Sequence, residues 1–431
     1  MKKLLLLLII LCANAQAQDI TLLGGATTTT DPLLQENQNA IQATAPNVKE
    51  QTLKDIQTQG FTVFHTERNK ETGLGPHFVN RGCSSCHIQN GRGSTTLRKS
   101  ALVIKVAEKN KFNEDGSPVD LENVGEQLQH RSIKNRKRFR IRIKYRKIRR
   151  QYKDGESIIL RRPLIQFRVK KYKKRDIGYS LRMTPMIFGV GLLESIPEEQ
   201  ILALSDPEDS NNDGISGKPN YVTDQKAKKL SLGRFGYKAS HPTVEQQSAA
   251  ASFLDMGISN PIFKENEEEM TEKELFLLTM YQKLASVPSA RTQDNENVQK
   301  GKILFQEFGC NDCHVMKFTT KNKEIPELDN QTIFPFTDLL LHDMGSGLAD
   351  TRPEFSATNR EFRTTPLWGL GFSIIIAEKF GVKPRFLHDG RARTLEEAIF
   401  WHNGEALSSK NAFRNANKEQ REQLIYFLRS L

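Results

Sequence analysis

The sequence predicts a mainly α-helical protein of two similar domains, with a β-hairpin inserted into the first. Three observations support this prediction. One five-residue string occurs twice, several segments show the 3.6-residue apolar period of helices, and one basic stretch alternates strictly between cationic and apolar residues. With 431 residues, of which 37% are hydrophobic, the chain is long enough to bury substantial cores.

The first 17 residues are typical of a secretory signal peptide. Lys2 and Lys3 precede an unbroken apolar run at 4–12, and residues 15–17 (Ala-Gln-Ala) match a cleavage site. The run is too short to span a bilayer. We therefore expect a periplasmic or otherwise exported protein that is not an integral membrane protein, and whose mature chain has lost Cys12.

The repeated string is Cys-x-x-Cys-His, at residues 83–87 and again, 227 positions later, at 310–314. In this pattern two thiols bond covalently to the vinyl groups of a haem, and the histidine binds the iron. Disulfides and zinc sites are the alternatives, but each closely spaced cysteine pair has its own histidine. We therefore predict two covalently bound haem c groups. They are attached through Cys83, Cys86, Cys310 and Cys313, with His87 and His314 as iron ligands.

The positions of the two strings suggest how the chain divides into domains. Residues 18–50 lack an apolar period and are predicted to form a loose N-terminal extension. A first haem domain is expected at 51–290 and a second at 291–431. In the second, a helix at 298–308 leads into the string and another at 418–431 closes the chain, which resembles a small class I cytochrome c. We therefore expect two cytochrome c-like haem domains.

Helical periods are also visible inside the predicted first haem domain. They run from Thr243 to Met256 and from Thr271 to Ala285.

Positive charge is concentrated in a basic insertion at 131–175. It contains 21 Lys and Arg against Asp154 and Glu156, a net charge of +19, whereas the whole chain carries +12. Residues 138–146 alternate strictly and the pattern resumes after an Asp-Gly turn, which predicts a twisted hairpin. Its cationic face either prevents edge aggregation or docks an acidic partner, such as an electron-donor protein or an anionic lipid surface. Nucleic acid is not expected, because the aromatic residues lie on the apolar face.

Six further motifs resemble the dihaem oxidoreductase family, sometimes labelled thiol oxidoreductase, which is related to the bacterial dihaem cytochrome c peroxidases. The similarity runs from about residue 55 to the C-terminus. It implies a redox enzyme of the peroxidase type that uses a small oxidant such as hydrogen peroxide and a redox partner protein. The motifs are 73–76 (Gly-Leu-Gly-Pro), 91–93 (Gly-Arg-Gly), 191–194 (Gly-Leu-Leu-Glu), 340–345 (Leu-Leu-His-Asp-Met-Gly), 363–369 (Arg-Thr-Thr-Pro-Leu-Trp-Gly) and 386–392 (Phe-Leu-His-Asp-Gly-Arg-Ala).

The resemblance also implies a second ligand for the second haem iron. In the related peroxidases a Phe-His-Asp-Gly turn precedes a Leu-Glu-Glu helix, and a methionine ligand follows about four helical turns after the histidine. The same count from His388 reaches His402. Thr394 and Glu397 form a capping-box pattern that places His402 on the apolar face of this helix. Ligation by two histidines would lower the potential of this haem and close it to peroxide. The rival ligands are His342, His388 and Met344.

For the first haem the sequence offers no comparable second ligand, and an open iron would suit catalysis. Glu194 is the predicted catalytic residue, because a partly buried carboxylate can move protons. Alternatively, Glu194 caps a helix or pairs with Arg182. The histidines of this region are expected to be surface or hydrogen-bonded residues, namely His65, His77, His130 and His241.

Residues 209–214 (Asp-Ser-Asn-Asn-Asp-Gly) resemble the first half of a calcium loop. Asp209, Asn211 and Asp213 offer oxygens at alternate positions, but Asn220 stands where a chelating glutamate would close the loop. Calcium would therefore need ligands from other segments, and an Asx-rich turn is the alternative.

Together these features predict an exported dihaem c-type oxidoreductase, peroxidase-like, whose second haem feeds electrons to a catalytic first haem. A non-catalytic periplasmic electron-transfer cytochrome and an oxidase that modifies a protein partner are the alternatives.

Overall fold

A computed structural model describes residues 20–31, 42–93, 102–134, 136, 138–265, 267–379, 381 and 383–431. The predicted signal peptide lies outside these residues. None of the helices in the described part of the chain is long and apolar enough to cross a membrane.

The fold is mixed α/β and does not consist of two plainly α-helical, cytochrome c-like domains, so the predicted fold class is wrong. Helices make up 32% of the described residues and strands 20%. The described strands form seven two-stranded sheets. Many of these strands have only two to four residues and pair with distant segments, so they leave no period in the local sequence.

Several helices in the described residues have a capping side chain at their N-terminus. Thr243 and Thr271 accept hydrogen bonds from backbone amides at the start of two helices that the sequence predicted. The helices are α1 (Gln51–His65), α2 (Val190–Glu194), α3 (Glu198–Leu202), α4 (Val244–Met256), α5 (Glu272–Lys283), α6 (Glu296–Glu307), α7 (Gly345–Leu348), α8 (Leu370–Lys379), α9 (Leu395–Trp401), α10 (Leu407–Asn415) and α11 (Lys418–Ser430).

The strands pair mainly in antiparallel fashion; β1 and β10 are parallel. The sheet orders are β1-β10, β2-β4, β3-β7, β5-β6, β8-β9, β11-β12 and β13-β14. The strands are β1 (Thr28–Thr29), β2 (His77–Phe78), β3 (Leu102–Glu108), β4 (Arg131–Ser132), β5 (Arg142–Gln151), β6 (Ser157–Gln166), β7 (Ile177–Met183), β8 (Tyr221–Asp224), β9 (Lys229–Leu232), β10 (Val287–Pro288), β11 (Phe318–Thr319), β12 (Thr332–Ile333), β13 (Leu341–Asp343) and β14 (Glu361–Arg363).

Two pairs of helices cross in the same way, one pair near each Cys-x-x-Cys-His string. Helix α1 crosses α5 at Gly60, where an added Cβ would lie 2.2 Å from Leu277 O. Helix α6 crosses α11 at Gly301, where an added Cβ would lie 2.0 Å from Gln423 O. Only glycine permits so close an approach of two helix backbones. The first and last helices of the second region therefore pack closely against each other, and α1 and α5 repeat this crossing near the first string.

The predicted basic hairpin is confirmed as the ribbon β5-β6, which pairs from Arg142 opposite Gln166 to Gln151 opposite Ser157. Its turn has Gly155 at φ 91°, a left-handed conformation that favours glycine. The apolar side chains change face along the twisted ribbon. Near its base Ile165 packs in one apolar cluster, and near its tip Leu160 packs in another.

The largest apolar cluster contains residues from both predicted haem domains. Phe188 and Leu284 come from the first, and Phe305, Trp368 and Phe427 from the second. The two regions therefore share one core across residue 290.

Residues 20–31 are packed into the fold, although the sequence predicted a loose extension there. Ile20 and Leu23 are buried in the largest cluster. Thr28 pairs with Val287, and Leu23 O accepts a hydrogen bond from Phe334 N at 2.7 Å. This segment joins the two regions rather than extending from them.

Candidate haem sites

Each Cys-x-x-Cys-His string folds into a tight turn. The amide of His87 donates to Cys83 O at 2.9 Å, and the amide of His314 donates to Cys310 O at 3.0 Å. These bonds bring both cysteines and the histidine of a string to one turn of backbone. The turn geometry fits a group that is bonded through two thiols and ligated by the following imidazole.

The two string histidines are oriented alike. His87 Nδ1 lies 2.9 Å from Pro185 O, and His314 Nδ1 lies 2.9 Å from Phe336 O. Burial lowers the pKa of both to about 4, so each imidazole is neutral. A neutral imidazole whose Nδ1 donates to a carbonyl presents its Nε2 lone pair to a metal.

The crossing helices fix the packing behind these histidines. Phe64 follows Gly60 by one helical turn, and its ring centroid lies 6.0 Å from that of His87. Phe305 follows Gly301 by the same interval, and its ring lies 6.4 Å from His314. The helix crossing thus sets the position of each predicted iron ligand.

The four described cysteines are free thiols. Burial raises the pKa of Cys83, Cys86 and Cys310 to about 12, and it also raises that of Cys313. The predicted disulfide alternative is therefore absent from the described part of the chain. Protonated thiols beside an iron-binding imidazole fit covalent haem attachment.

The first string borders a cavity whose lining offers donors for the carboxylates of a haem. His87 lines this cavity together with Arg92, Arg182, Tyr237 and Trp368. Arg92 Nε and Arg182 Nη1 are buried and have no hydrogen-bond partner among the described residues. Buried guanidinium N–H groups without acceptors are costly, and the two carboxylates of a haem would supply acceptors.

At the second string the structure supports His402 as a partner of His314. His402 follows helix α9, and its Nδ1 lies 2.8 Å from Ala398 O, which leaves Nε2 for a metal. His402 is close enough to lower the pKa of His314 electrostatically, although burial is the larger cause. The neighbouring Trp401 Nε1 is buried without an acceptor in the described structure. This orphan donor also fits a bound group with carboxylates.

The rival ligands are less suitable. Both ring nitrogens of His342 are hydrogen-bonded, to Asp338 at 2.7 Å and to Glu405 at 2.6 Å. His388 is buried and stacks on Phe362 with 4.1 Å between ring centroids. Met344 packs against the largest apolar cluster.

Glu194, the predicted catalytic residue, has structural contacts on both carboxylate oxygens. Oε1 accepts a hydrogen bond from Val244 N at 2.8 Å, which caps helix α4, and Oε2 pairs with Lys283. Glu194 is not among the described residues that line the first cavity. These contacts match the capping alternative, although the pairing partner is Lys283 instead of Arg182. A carboxylate held in this way is poorly placed to exchange protons with a ligand in that cavity.

The histidine that sequence reasoning set aside, His241, does line the first cavity. Of the others, His65 bonds Gln42 and Phe61 O through its two ring nitrogens. His77 and His130 are not among the described lining residues. In the sequence, His241 and Pro242 directly precede the threonine that caps helix α4, which places His241 at the start of that helix. The sequence does not indicate whether the His241 side chain faces the cavity.

The predicted calcium loop is closed by its own hydrogen bonds. Asp209 Oδ1 accepts from Gly214 N at 3.1 Å, and Asp213 Oδ1 accepts from Ile215 N at 2.8 Å. Asn211 Oδ1 accepts from Asp213 N at 2.9 Å. Asn220 is buried elsewhere and donates to Lys238 O at 2.7 Å. These contacts match the Asx-turn alternative, and calcium binding stays a prediction.

The basic ribbon reaches from the first region to the second. At its tip, the Tyr152 ring lies 4.8 Å from Phe400, and Arg421 pairs with Asp154 and Glu156 at 2.8 Å each. One cavity is lined by the ribbon and by Trp401, beside the candidate ligand His402. Its basic lining residues are Arg146, Lys147, Arg150 and Arg162.

The two sites define a redox protein that binds two haems. A family model described as "Di-haem oxidoreductase, putative peroxidase" matches residues 17–277 and 267–431. The chain therefore belongs to the dihaem oxidoreductase family, and the resemblance noted in the sequence is confirmed. This membership implies haem cofactors and a redox enzyme.

Other comparisons add little. No curated protein matches the chain significantly. A solved structure of hydrazine synthase from Kuenenia stuttgartiensis, pressurized with 20 bar xenon, is 13% identical over 89% of this chain and 94% of that chain, with a TM-score of 0.35. A likeness at this level carries no functional information.

Proposed function

We propose that the chain is an exported dihaem c-type oxidoreductase of the peroxidase type. The proposal depends mainly on one observation, which is that the two sites differ in the number of histidines available to bind iron. In the second, His314 and His402 both have Nδ1 bonded to a backbone carbonyl, so two Nε2 atoms are available for one iron. In the first, His87 alone of the described cavity-lining histidines has this arrangement.

Haem supplies one-electron redox chemistry and, where an axial position is open, a binding site for a small oxidant. Cys83 and Cys86 would attach the first haem, and Cys310 and Cys313 the second. As a second ligand, His402 would close the second site to exogenous ligands, which suits the storage and transfer of electrons. The first site, with His87 as its ligand, would then be the one at which hydrogen peroxide is reduced.

An acidic electron-donor protein is proposed to dock on the basic ribbon. Arg146, Lys147 and Arg150 are exposed on β5 and line a cavity shared with Trp401. Trp401 precedes the ligand His402, so a donor bound there would lie beside the electron-accepting site. Complementary charge accelerates such encounters by about 10–10³-fold at low salt.

The test of the enzyme proposal is spectroscopic. In the ferric protein we expect one low-spin centre and one high-spin centre, and only the high-spin signal should shift when peroxide or cyanide is added. Two low-spin centres that are indifferent to both reagents would instead identify a non-catalytic electron carrier.

Docking on the ribbon is tested with the double variant Arg146→Gln and Arg150→Gln. We expect about a tenfold higher KM for an acidic donor protein at low salt, with a smaller difference at high salt because ions screen the attraction. Turnover with a small neutral donor should not change. The matched control is Lys273→Gln, which removes an exposed lysine from helix α5. An unchanged KM in the double variant would exclude the ribbon as the docking surface.

A further inference from the structure

The cavity beside His87, the inner cavity, shares a wall with a larger outer cavity of about 710 Å³. Asp120, Glu126 and Arg352 belong to the lining of the outer cavity. Several residues line both cavities and therefore form the wall between them. They include Lys105, Gln127, Ser240, His241 and Glu354.

His241 is the imidazole of this wall, and its backbone is fixed. Its amide donates to Phe235 O at 3.3 Å, and its carbonyl accepts from Arg234 N at 2.9 Å. Its ring Nδ1 is buried and has no hydrogen-bond partner within the described structure. The wall thus holds an imidazole nitrogen that no protein group occupies.

His241 is in the neutral form that a proton acceptor requires. Burial is the main cause that lowers its pKa to about 4, and Lys105 lowers it further. Glu126 and Glu354 act in the opposite direction, and Arg352 adds to the lowering. The ring is therefore neutral near neutral pH, the form of histidine that accepts a proton.

Both carboxylate oxygens of Glu354, which lies in the wall, have partners within the protein. Oε1 lies 3.1 Å from Arg182 Nη2 and 2.6 Å from Arg352 Nη1, and Oε2 accepts from Ser240. Burial would raise the pKa of Glu354, but Lys105, Arg352 and Arg182 together hold it well below the usual range. Glu354 therefore stays ionised and fixes the wall, while His241 keeps a free nitrogen.

The outer cavity contains a group that can pass protons to this wall. Burial, together with the nearby Glu126, raises the pKa of Asp120 to about 6. Lys105 and Arg352 lower the pKa of Asp120, and they also lower the pKa of His241. The two residues therefore share charged neighbours in the lining of the outer cavity.

We propose that the outer cavity is the route by which hydrogen peroxide and protons reach the first haem, and that His241 transfers the peroxide proton. This inference rests on the proposed peroxidase function. His241 takes the proton from one peroxide oxygen and returns it to the other as the O–O bond breaks. Overall, one hydrogen peroxide, two protons from solvent and two electrons from the donor protein yield two waters.

The experiment compares the holoprotein with His241→Gln, which preserves side-chain volume and hydrogen bonding but cannot exchange the proton. We expect kcat/KM for hydrogen peroxide to fall about 10²- to 10⁴-fold. Cyanide binding should also slow, because hydrogen cyanide must lose a proton to bind, while the resting spectrum stays unchanged. His65→Gln is the matched control, since the structure does not place His65 at either cavity.

A second variant, Asp120→Asn, tests the route. The wild-type rate should decline as pH rises past about 6 and Asp120 loses its proton, and this inflection should vanish in the variant. Retention of the inflection would overturn the route through the outer cavity.

The outcomes separate the inference from the proposed function. If the wild type reduces peroxide and His241→Gln does so within about threefold of it, the role of His241 is wrong while the function stands. If His241→Gln converts a low-spin centre to high-spin, His241 is an iron ligand and the proposal is overturned. If the wild type itself does not reduce peroxide, the proposed function fails first.

Discussion

At the scale of single residues, His342 shows how burial and charge compete beside the second string. Its Nδ1 faces Glu405 and its Nε2 faces Asp338, and Cys313 Sγ lies 3.6 Å from Nδ1. Burial alone would lower its pKa, but Asp338 and the hydrogen bonds of the cluster raise it well above 6.5. His342 is thus a buried imidazolium between two carboxylates, with no lone pair for iron.

Removal of His342 should destabilise the protein, because two buried carboxylates would lose their cation. For His342→Ala we expect a loss of about 3–5 kcal/mol in the free energy of unfolding, measured with urea at pH 6. The folded-state pKa is raised, so this stabilisation is complete below pH 6.5 and is lost as pH rises through the folded-state value. The difference between wild type and variant should therefore narrow in alkaline buffer, and a constant difference would contradict the imidazolium assignment.

His402 gives the sharpest prediction about the second site. His402→Ala should convert one low-spin ferric centre to high-spin, because the iron would lose its second nitrogen ligand, and His402→Met should keep it low-spin at a higher reduction potential. Optical and electron paramagnetic resonance spectra measure both changes. His388 is the buried rival ligand, and His388→Ala should leave the low-spin signal intact. If His388→Ala removes the low-spin signal and His402→Ala does not, His388 is the ligand instead of His402.

The sequence predicted those residue roles that depend on neighbours in the chain. The cysteines and histidines of both strings are predicted from local spacing, and His402 is implied by the family resemblance, which supplies the count from His388. His241 could not be found in this way, because its cavity is built from β3, helix α4 and Glu354, which lie far apart in sequence. The contact of Glu194 with Lys283 could not be predicted for the same reason, since the two residues are 89 positions apart.

At the scale of elements, the glycine crossings position the two histidines predicted to bind iron. Gly301→Ala should lower the free energy of unfolding by about 1–3 kcal/mol, because the new Cβ would meet Gln423 O and push α6 from α11. The second haem should also change its spectrum, since Phe305 moves with α6.

Gly347→Ala is the control for that measurement. An added Cβ there would lie 3.5 Å from the Trp401 ring, an ordinary contact, and should leave stability within about 0.5 kcal/mol of wild type. Equal effects of the two substitutions would show that the helix crossing is not the cause.

Several long elements were predictable, but helix α1, the longest helix among the described residues, was not, and neither were the short strands. The ribbon and helices α4, α5, α6 and α11 carry periods of ten or more residues, which local sequence reveals. Strands such as β1, β2 and β10 have two residues each and exist only because distant segments meet. The error in fold class arises from these short strands.

At the scale of the whole molecule, the shared apolar core predicts that the two haem regions unfold together. Phe188 and Trp368 belong to one buried cluster, and Gly189 packs so closely that an added Cβ would lie 2.5 Å from the Trp368 ring. Urea unfolding of the holoprotein should show one transition, with tryptophan fluorescence and far-UV circular dichroism coinciding. Two separated transitions would mean that the regions are thermodynamically independent.

The docked tip of the ribbon has a consequence for the order in which the chain folds. Glu156 bonds Arg421, 265 positions later, and Ile159 O accepts a hydrogen bond from Arg393, 234 positions later. During synthesis the ribbon therefore emerges long before its docking surface, so contacts of this separation form late and slowly. In that interval the arginines and lysines of β5 would keep its apolar side chains from pairing with another nascent chain. The excess of positive charge would thus protect the protein before it is fully made.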